Sequence, residues 1–229
     1  MKTKISSLIL LAMSIGLGSA SATVTIAFES GNINTSTGSK VAVGTVGVVV
    51  VDTGGDGFSF NSAGTYASIV GSTLAAGNAI GADKILRVFQ AADVDVDGSA
   101  PLDRVFTGSL LSSATYGSGI LSGVSAGQNL ALYWFPGVTS IGATLTALQE
   151  EAGFFRQTAN SVASNSDMGF VLPNDGFGGN LFAYGSDLTG AGVGSIAPSS
   201  LNAFSLVPEP SRMVLFGFGI IGLIVRRRR

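Results

Sequence analysis

Apolar positions along the chain fall into three regimes. A predominantly apolar run, Ile5 to Leu17, stands near the start, and a second, Met213 to Val225, stands near the end. Between them the pattern is mostly of strand type. Thr23–Phe28 alternates apolar and polar, and Val41–Val51 (VAVGTVGVVVV) is a β-branched run long enough for a buried strand. Further runs at Lys84–Phe89, Asn129–Phe135, Met168–Leu172, Leu181–Tyr184 and Ala203–Val207 are bounded by Gly, Asn, Asp or Pro. Ala143–Ala152 (ATLTALQEEA) instead carries helix formers with apolar residues at helical spacing and predicts a short helix, while Ser62–Ala76 is ambiguous. Asn34–Ser39 and Gly185–Ser200, rich in Ser, Thr, Asn and Gly, read as loops. The predicted fold is mainly β: an antiparallel, sandwich-like extracytoplasmic domain over residues 23–206 with one or two short helices.

The two terminal runs have different chemistry. Lys2 and Lys4 precede the first, and Gly18-Ser19-Ala20-Ser21-Ala22 follows it. A basic start, a short apolar helix and an A-x-A site formed by Ala20 and Ala22 make residues 1–22 a signal peptide, cut before Thr23 by signal peptidase. The second run follows Val207-Pro208-Glu209-Pro210-Ser211-Arg212 and is closed by Arg226, Arg227, Arg228 and Arg229. Thirteen apolar residues make a helix of about 20 Å, short against a hydrocarbon core of about 30 Å. Flanking arginines lengthen it by snorkelling, so residues 213–225 are predicted to span the membrane. Arg226, Arg227, Arg228 and Arg229 then stay on the cytoplasmic side and leave residues 23–206 across the membrane. The two prolines keep the stretch before the helix extended, where a processing enzyme can reach it.

The Pro-Glu-Pro motif, short apolar helix and basic cluster, in that order over Val207–Arg229, resemble the PEP-CTERM sorting signal of Gram-negative bacteria. The resemblance implies recognition by exosortase, a membrane protease-transferase, with cleavage or transfer near Pro208, Glu209 and Pro210. It also implies association with exopolysaccharide, biofilm or the cell surface. The protein would be anchored in the inner membrane with its body in the periplasm before processing, then at the surface or outside the cell. Arg212 departs from the pattern, since many members carry a small or apolar residue there. Within the body, Val51–Phe58, Leu132–Gly137 and Leu172–Gly176 resemble an uncharacterised group of PEP-CTERM-bearing proteins, a resemblance that carries no known activity.

Composition changes the picture in two ways. Of 229 residues 33 are glycine, only 11% are charged, and neither Cys nor His occurs. That excludes disulfides, thiolate metal sites and the commonest general base. The net charge of −2 conceals a split: residues 23–206 hold 13 acidic and five basic residues, a net of −8, and the ends are basic. An acidic body argues against nucleic acid as a partner.

Four motifs carry candidate chemistry. Asp93, Asp95 and Asp97, with Gly98 at the sixth position, open like a calcium loop. The twelfth position, which needs a bidentate Glu, is Arg104, and an acidic strand end running into a turn explains the same pattern. Asp103 stands one place early, and Asp52 and Asp56 help only if the fold brings them close. Gly123-Val124-Ser125-Ala126-Gly127 spells a nucleophile elbow, but the chain has no histidine to serve it, and only Lys40 or Lys84 could substitute. Gly217–Gly222 spells a dinucleotide fingerprint without the βαβ unit that the site needs. Trp134, beside Tyr133 and Phe135, is either a sugar-stacking platform or core, and Glu150 and Glu151 are adjacent rather than paired for glycoside hydrolysis.

These observations lead to the expectation of an exported, non-catalytic protein with a structural or adhesive role and without a cofactor. The alternatives are a polysaccharide-binding or carboxylate-dependent polysaccharide-acting protein, or a permanently anchored membrane protein.

Overall fold

A run of six consecutive buried residues forms a strand only where both faces of its sheet are covered. Val46–Val51 is such a strand, with every residue buried. Val49 and Val51 enter a first hydrophobic core, and Val46, Val48 and Val50 enter a second. Leu130–Phe135 repeats the arrangement: Leu130, Leu132 and Trp134 face the first core, and Ala131, Tyr133 and Phe135 the second. The computed structural model in which these are seen describes residues 23–94, 103–156, 167–168, 170–183 and 201–206.

The strands in chain order are β1 (Val24–Ser30), β2 (Ile33–Asn34), β3 (Val46–Val51), β4 (Ala79–Ile80), β5 (Asp83–Gln90), β6 (Ala92–Val94) and β7 (Asp103–Val105). They continue with β8 (Thr107–Ala114), β9 (Leu130–Phe135), β10 (Glu151–Phe155), β11 (Asp167–Met168), β12 (Gly178–Ala183), β13 (Leu201–Asn202) and β14 (Phe204–Ser205). A six-stranded antiparallel sheet has the order β14-β10-β9-β3-β5-β4, and a four-stranded sheet the order β11-β12-β1-β8. Two short pairs, β13-β2 and β6-β7, complete the ladders among the described residues. In β1 the alternation is clean, with Val24, Ile26 and Phe28 buried and Thr25 and Ala27 exposed. Its inward residues join those of β8 (Leu110, Leu111) and β12 (Leu181, Ala183) in the first core, against Val49, Leu132 and Trp134. The second core is closed by the loop and 3-10 helix after β3, through Phe58, Phe60, Tyr66 and Ile69. Phe60 meets Tyr133 edge-on at 5.3 Å and Tyr66 at 6.0 Å between ring centres.

The mainly-β expectation holds, and two details of it are corrected. The four-stranded sheet is mixed rather than antiparallel, because β12 runs parallel to both β1 and β11. The helix expected over Ala143–Ala152 is absent. Its first half pairs with residues 71–74, through Leu145 N–H to the Ser72 carbonyl (2.9 Å) and Leu74 N–H to the Ala143 carbonyl (2.8 Å), and its end enters β10. Leu148, which helical spacing would bury beside Leu145, is 86% exposed. Tertiary pairing thus overrides a weak local preference. The helical segments present are two 3-10 turns, Ala63–Ile69 and Gly119–Leu121, the first resolving the ambiguous Ser62–Ala76 stretch. Among the described residues no helix is long and apolar enough to cross a membrane. The signal helix (1–22), the predicted span (213–225) and the basic tail of Arg226, Arg227, Arg228 and Arg229 lie outside the described residues.

Candidate functional site

The last described residues, 201–206, stitch the two cores together. β13 pairs in parallel with β2, placing Leu201 beside Ile33, and the Leu201 N–H donates to the Asn32 carbonyl at 2.7 Å. β14 then pairs antiparallel with β10 through Glu151↔Ser205 and Ala152↔Phe204. The Leu206 N–H continues that ladder to the Glu150 carbonyl at 2.7 Å. Leu201 and Ala203 are buried in the first core, and Leu206 in the second with Phe204 packed beside it. The Pro208-Glu209-Pro210 motif therefore follows a core residue by two positions.

A second cluster is acidic and buried. Asp52, at the end of β3, accepts from the N–H groups of Gly55 (2.6 Å) and Gly57 (3.1 Å) and so ties the Gly-rich loop back onto the strand. Asp83 opens β5, and its Oδ2 accepts from the Ser59 N–H (2.8 Å) and the Tyr133 hydroxyl (3.1 Å). Its Oδ1 is buried without a partner. Burial pushes the Asp83 carboxyl above its ordinary range, the Ser59 and Tyr133 hydrogen bonds pull it back, and the Asp52 charge adds to the rise. Burial, reinforced by Asp83, pushes the Tyr133 phenol up as well. The cluster is a fastener between loop and sheet, made of groups that the alternation pattern did not mark.

On the outer face of the four-stranded sheet a groove of about 230 Å³ is lined by Ala27, Phe28, Glu29, Thr107, Gly108 and Asn180. The register explains it. Ala27 lies beside Asn180 on one flank and Ser109 on the other, and Glu29 lies beside Thr107.

The residues singled out from sequence are distributed as follows. Asp93 forms an ion pair with Arg104 (Nε to Oδ1, 2.8 Å), which is the residue at the twelfth loop position, while Asp95 and Asp97 lie outside the described residues. Asp52 is not brought to Asp93. The register sets Val51 opposite Lys84 and Val46 opposite Gln90, so Asp52 and Asp93 stand at opposite ends of the β3–β5 pair. Asp103 accepts from the Asn32 carboxamide. Among the described residues no group of three or more acidic side chains is placed to hold a metal ion. Ser125 occupies a turn closed by Gln128, and Lys84 donates its ammonium to the Ser122 carbonyl (2.7 Å) rather than to the Ser125 hydroxyl. Trp134 is core: it is 1% exposed and its Nε1–H donates to the Asn34 carbonyl at 3.1 Å, so it offers no sugar-stacking surface. Glu151 accepts from the Ser36 hydroxyl. The sorting and cleavage residues Ala20, Ala22, Pro208, Glu209, Pro210, Arg226, Arg227, Arg228 and Arg229 lie outside the described residues.

Fold and junction together define a β-rich body whose last strand runs directly into a sorting tail. Residues 206–229 match the family model of the PEP-CTERM protein-sorting motif, a stretch that takes in Pro208, Glu209 and Pro210 as well as Arg226, Arg227, Arg228 and Arg229. The motif marks an exosortase-sorted surface protein: exosortase is the processing partner, and export with sorting to the cell surface is the route. No curated protein and no solved structure matches the chain.

Proposed function

We propose that the protein is a non-catalytic structural or adhesive component of the cell surface or exopolysaccharide matrix. On this reading it is made as an inner-membrane-anchored precursor and trimmed at its C-terminus. The observation that carries the reading is the junction: a body with two cores joined at Leu206 to a PEP-CTERM motif. Its sandwich-like character is supported by the core shared between the two sheets. Intact-mass measurement of the protein recovered from its native host tests the handling. A mass ending near residue 210 is expected, and a mass retaining Arg226–Arg229 would make it a permanently anchored protein instead.

A second reading, a polysaccharide-binding body, draws on the groove, whose carboxylate, carboxamide and hydroxyl walls suit the hydroxyls of a neutral glycan. Its lining holds a single carboxylate, Glu29, and so lacks the pair that glycoside hydrolysis uses. Binding to a neutral-glycan array that is lost in Asn180→Ala would support this reading, and an array without signal would dismiss it.

A further inference from the structure

The sorting motif and the fold lay claim to the same residue. The motif match begins at Leu206, yet Leu206 is 6% exposed, packed in the second core and hydrogen-bonded to the Glu150 carbonyl. Val207 alone separates Leu206 from Pro208, a stretch of chain of at most about 7 Å. An enzyme that cuts near Pro208-Glu209-Pro210 must hold the backbone on the N-terminal side of the bond in extended form. Enzymes and receptors do so by taking over the backbone N–H and C=O groups of the peptide. In the folded body Phe204 is paired with Ala152 on β10, and the Leu206 N–H is engaged with the Glu150 carbonyl.

We infer that β14 is a releasable strand whose detachment from β10 frees the backbone leading into the sorting motif, so that folding of the body at this edge competes with sorting. This rests on the exosortase reading above. The geometry suits release. β14 is the outermost strand of its sheet, two residues long and paired on one side only. Elements with so few hydrogen bonds open locally while the rest of the domain stays folded. Leaving costs the fold the Phe204–Phe60 ring contact (6.4 Å) and the burial of Leu206, and none of the contacts within β3, β5 and β9. The same six-residue stitch explains how the trimmed product stays closed: cleavage beyond Pro208 leaves residues 201–206 in the body, free to re-pair.

Two experiments test this on the full chain. The first is hydrogen exchange of the intact protein. The Leu206 amide is expected to exchange at least about 100-fold faster than the amides of β9, in keeping with sub-global opening. Equal protection would overturn the inference whatever the sorting enzyme does. The second uses the absence of native cysteine. Leu206 and Glu150 form a hydrogen-bonded pair, which makes Glu151 and Ser205 the adjacent non-hydrogen-bonded pair. Such pairs lie about 4.5 Å apart at Cα, within the range that a disulfide spans. The double variant Glu151→Cys/Ser205→Cys, oxidised in the periplasm, is expected to accumulate untrimmed, at least about 10-fold above either single variant. Reductant should restore trimming. Trimming of the locked form at the single-variant rate would overturn the release step. If the unmodified chain itself is not trimmed in an exosortase-bearing host, the sorting reading falls, and the exchange measurement still decides whether β14 opens.

Discussion

Gly153→Ala adds one methyl group in the middle of β10, inside the six-stranded sheet. Gly153 stands directly opposite Trp134 on β9, which in turn stands opposite Gly47 on β3, so a large indole is flanked on its row by two glycines. A Cβ built on Gly153 would lie 1.9 Å from Trp134 Cε2 and 2.2 Å from Cζ2, against the 3.4 Å at which ordinary contact begins. The ring must therefore retreat by about 1.5 Å. It has nowhere to go: Trp134 is 1% exposed, and its Nε1–H is committed to the Asn34 carbonyl. Overpacking of this kind costs about 1–3 kcal/mol. Losing the Asn34 hydrogen bond while both groups stay buried adds about 1–3 kcal/mol. Alanine's advantage over glycine in a strand returns about 0.5–1 kcal/mol. A net destabilisation of about 3 kcal/mol is expected, a large fraction of the stability of a domain this size. Urea unfolding followed by tryptophan fluorescence, with one indole in the chain, reads it directly. Two controls sharpen the result. Gly178→Ala on β12, where a Cβ meets nothing within 4 Å, should be neutral or stabilising by up to about 1 kcal/mol. In Gly153→Ala/Trp134→Leu, followed by circular dichroism, the combined loss should be less than the sum of the single losses, because the smaller side chain leaves room for the methyl. A Gly153→Ala change below about 0.5 kcal/mol would refute the close approach.

Burial raises the folded-state pKa of Asp83, so the folded protein holds that proton more tightly than the unfolded chain. The stability from this group is complete below the unfolded carboxylate's pKa near 4 and is lost as pH rises through the folded value. Asp83→Asn should flatten that part of the stability–pH profile, and a variant profile parallel to the parent's would sink the argument. Tyr133→Phe removes one of the two donors to Asp83 Oδ2 in a site already short of partners, and should destabilise by about 1–3 kcal/mol in thermal unfolding; an unchanged midpoint would rule out a fastening role. Adding EDTA is expected to leave Tm unchanged, since Arg104 already neutralises Asp93. A fall of about 3 °C or more, equivalent to about 1 kcal/mol, would instead identify a cation at the Asp93–Asp97 turn.

Periodicity alone located β1, β3, β5 and β9, because their inward residues are long, apolar and either alternating or continuous. It did not find β8, where only Leu110 and Leu111 are buried among Thr, Gly and Ser. It read the start of β10 as the end of a helix, because Gln149, Glu150 and Glu151 are good helix formers and the residues that pair with Glu151 and Gly153, Ser205 and Trp134, are remote in sequence. The sorting motif was legible in the sequence because such signals are local strings of charge, apolar length and proline that need no tertiary contact to be recognised. Tertiary structure alone decided that Trp134 is a core residue rather than a sugar platform. It also decided that Asp52 and Asp93 lie apart, and that the strand run ending at Leu206 pairs against β10. Each of these depends on which strands pair and in what register, an outcome set by contacts between residues as much as about 170 positions apart.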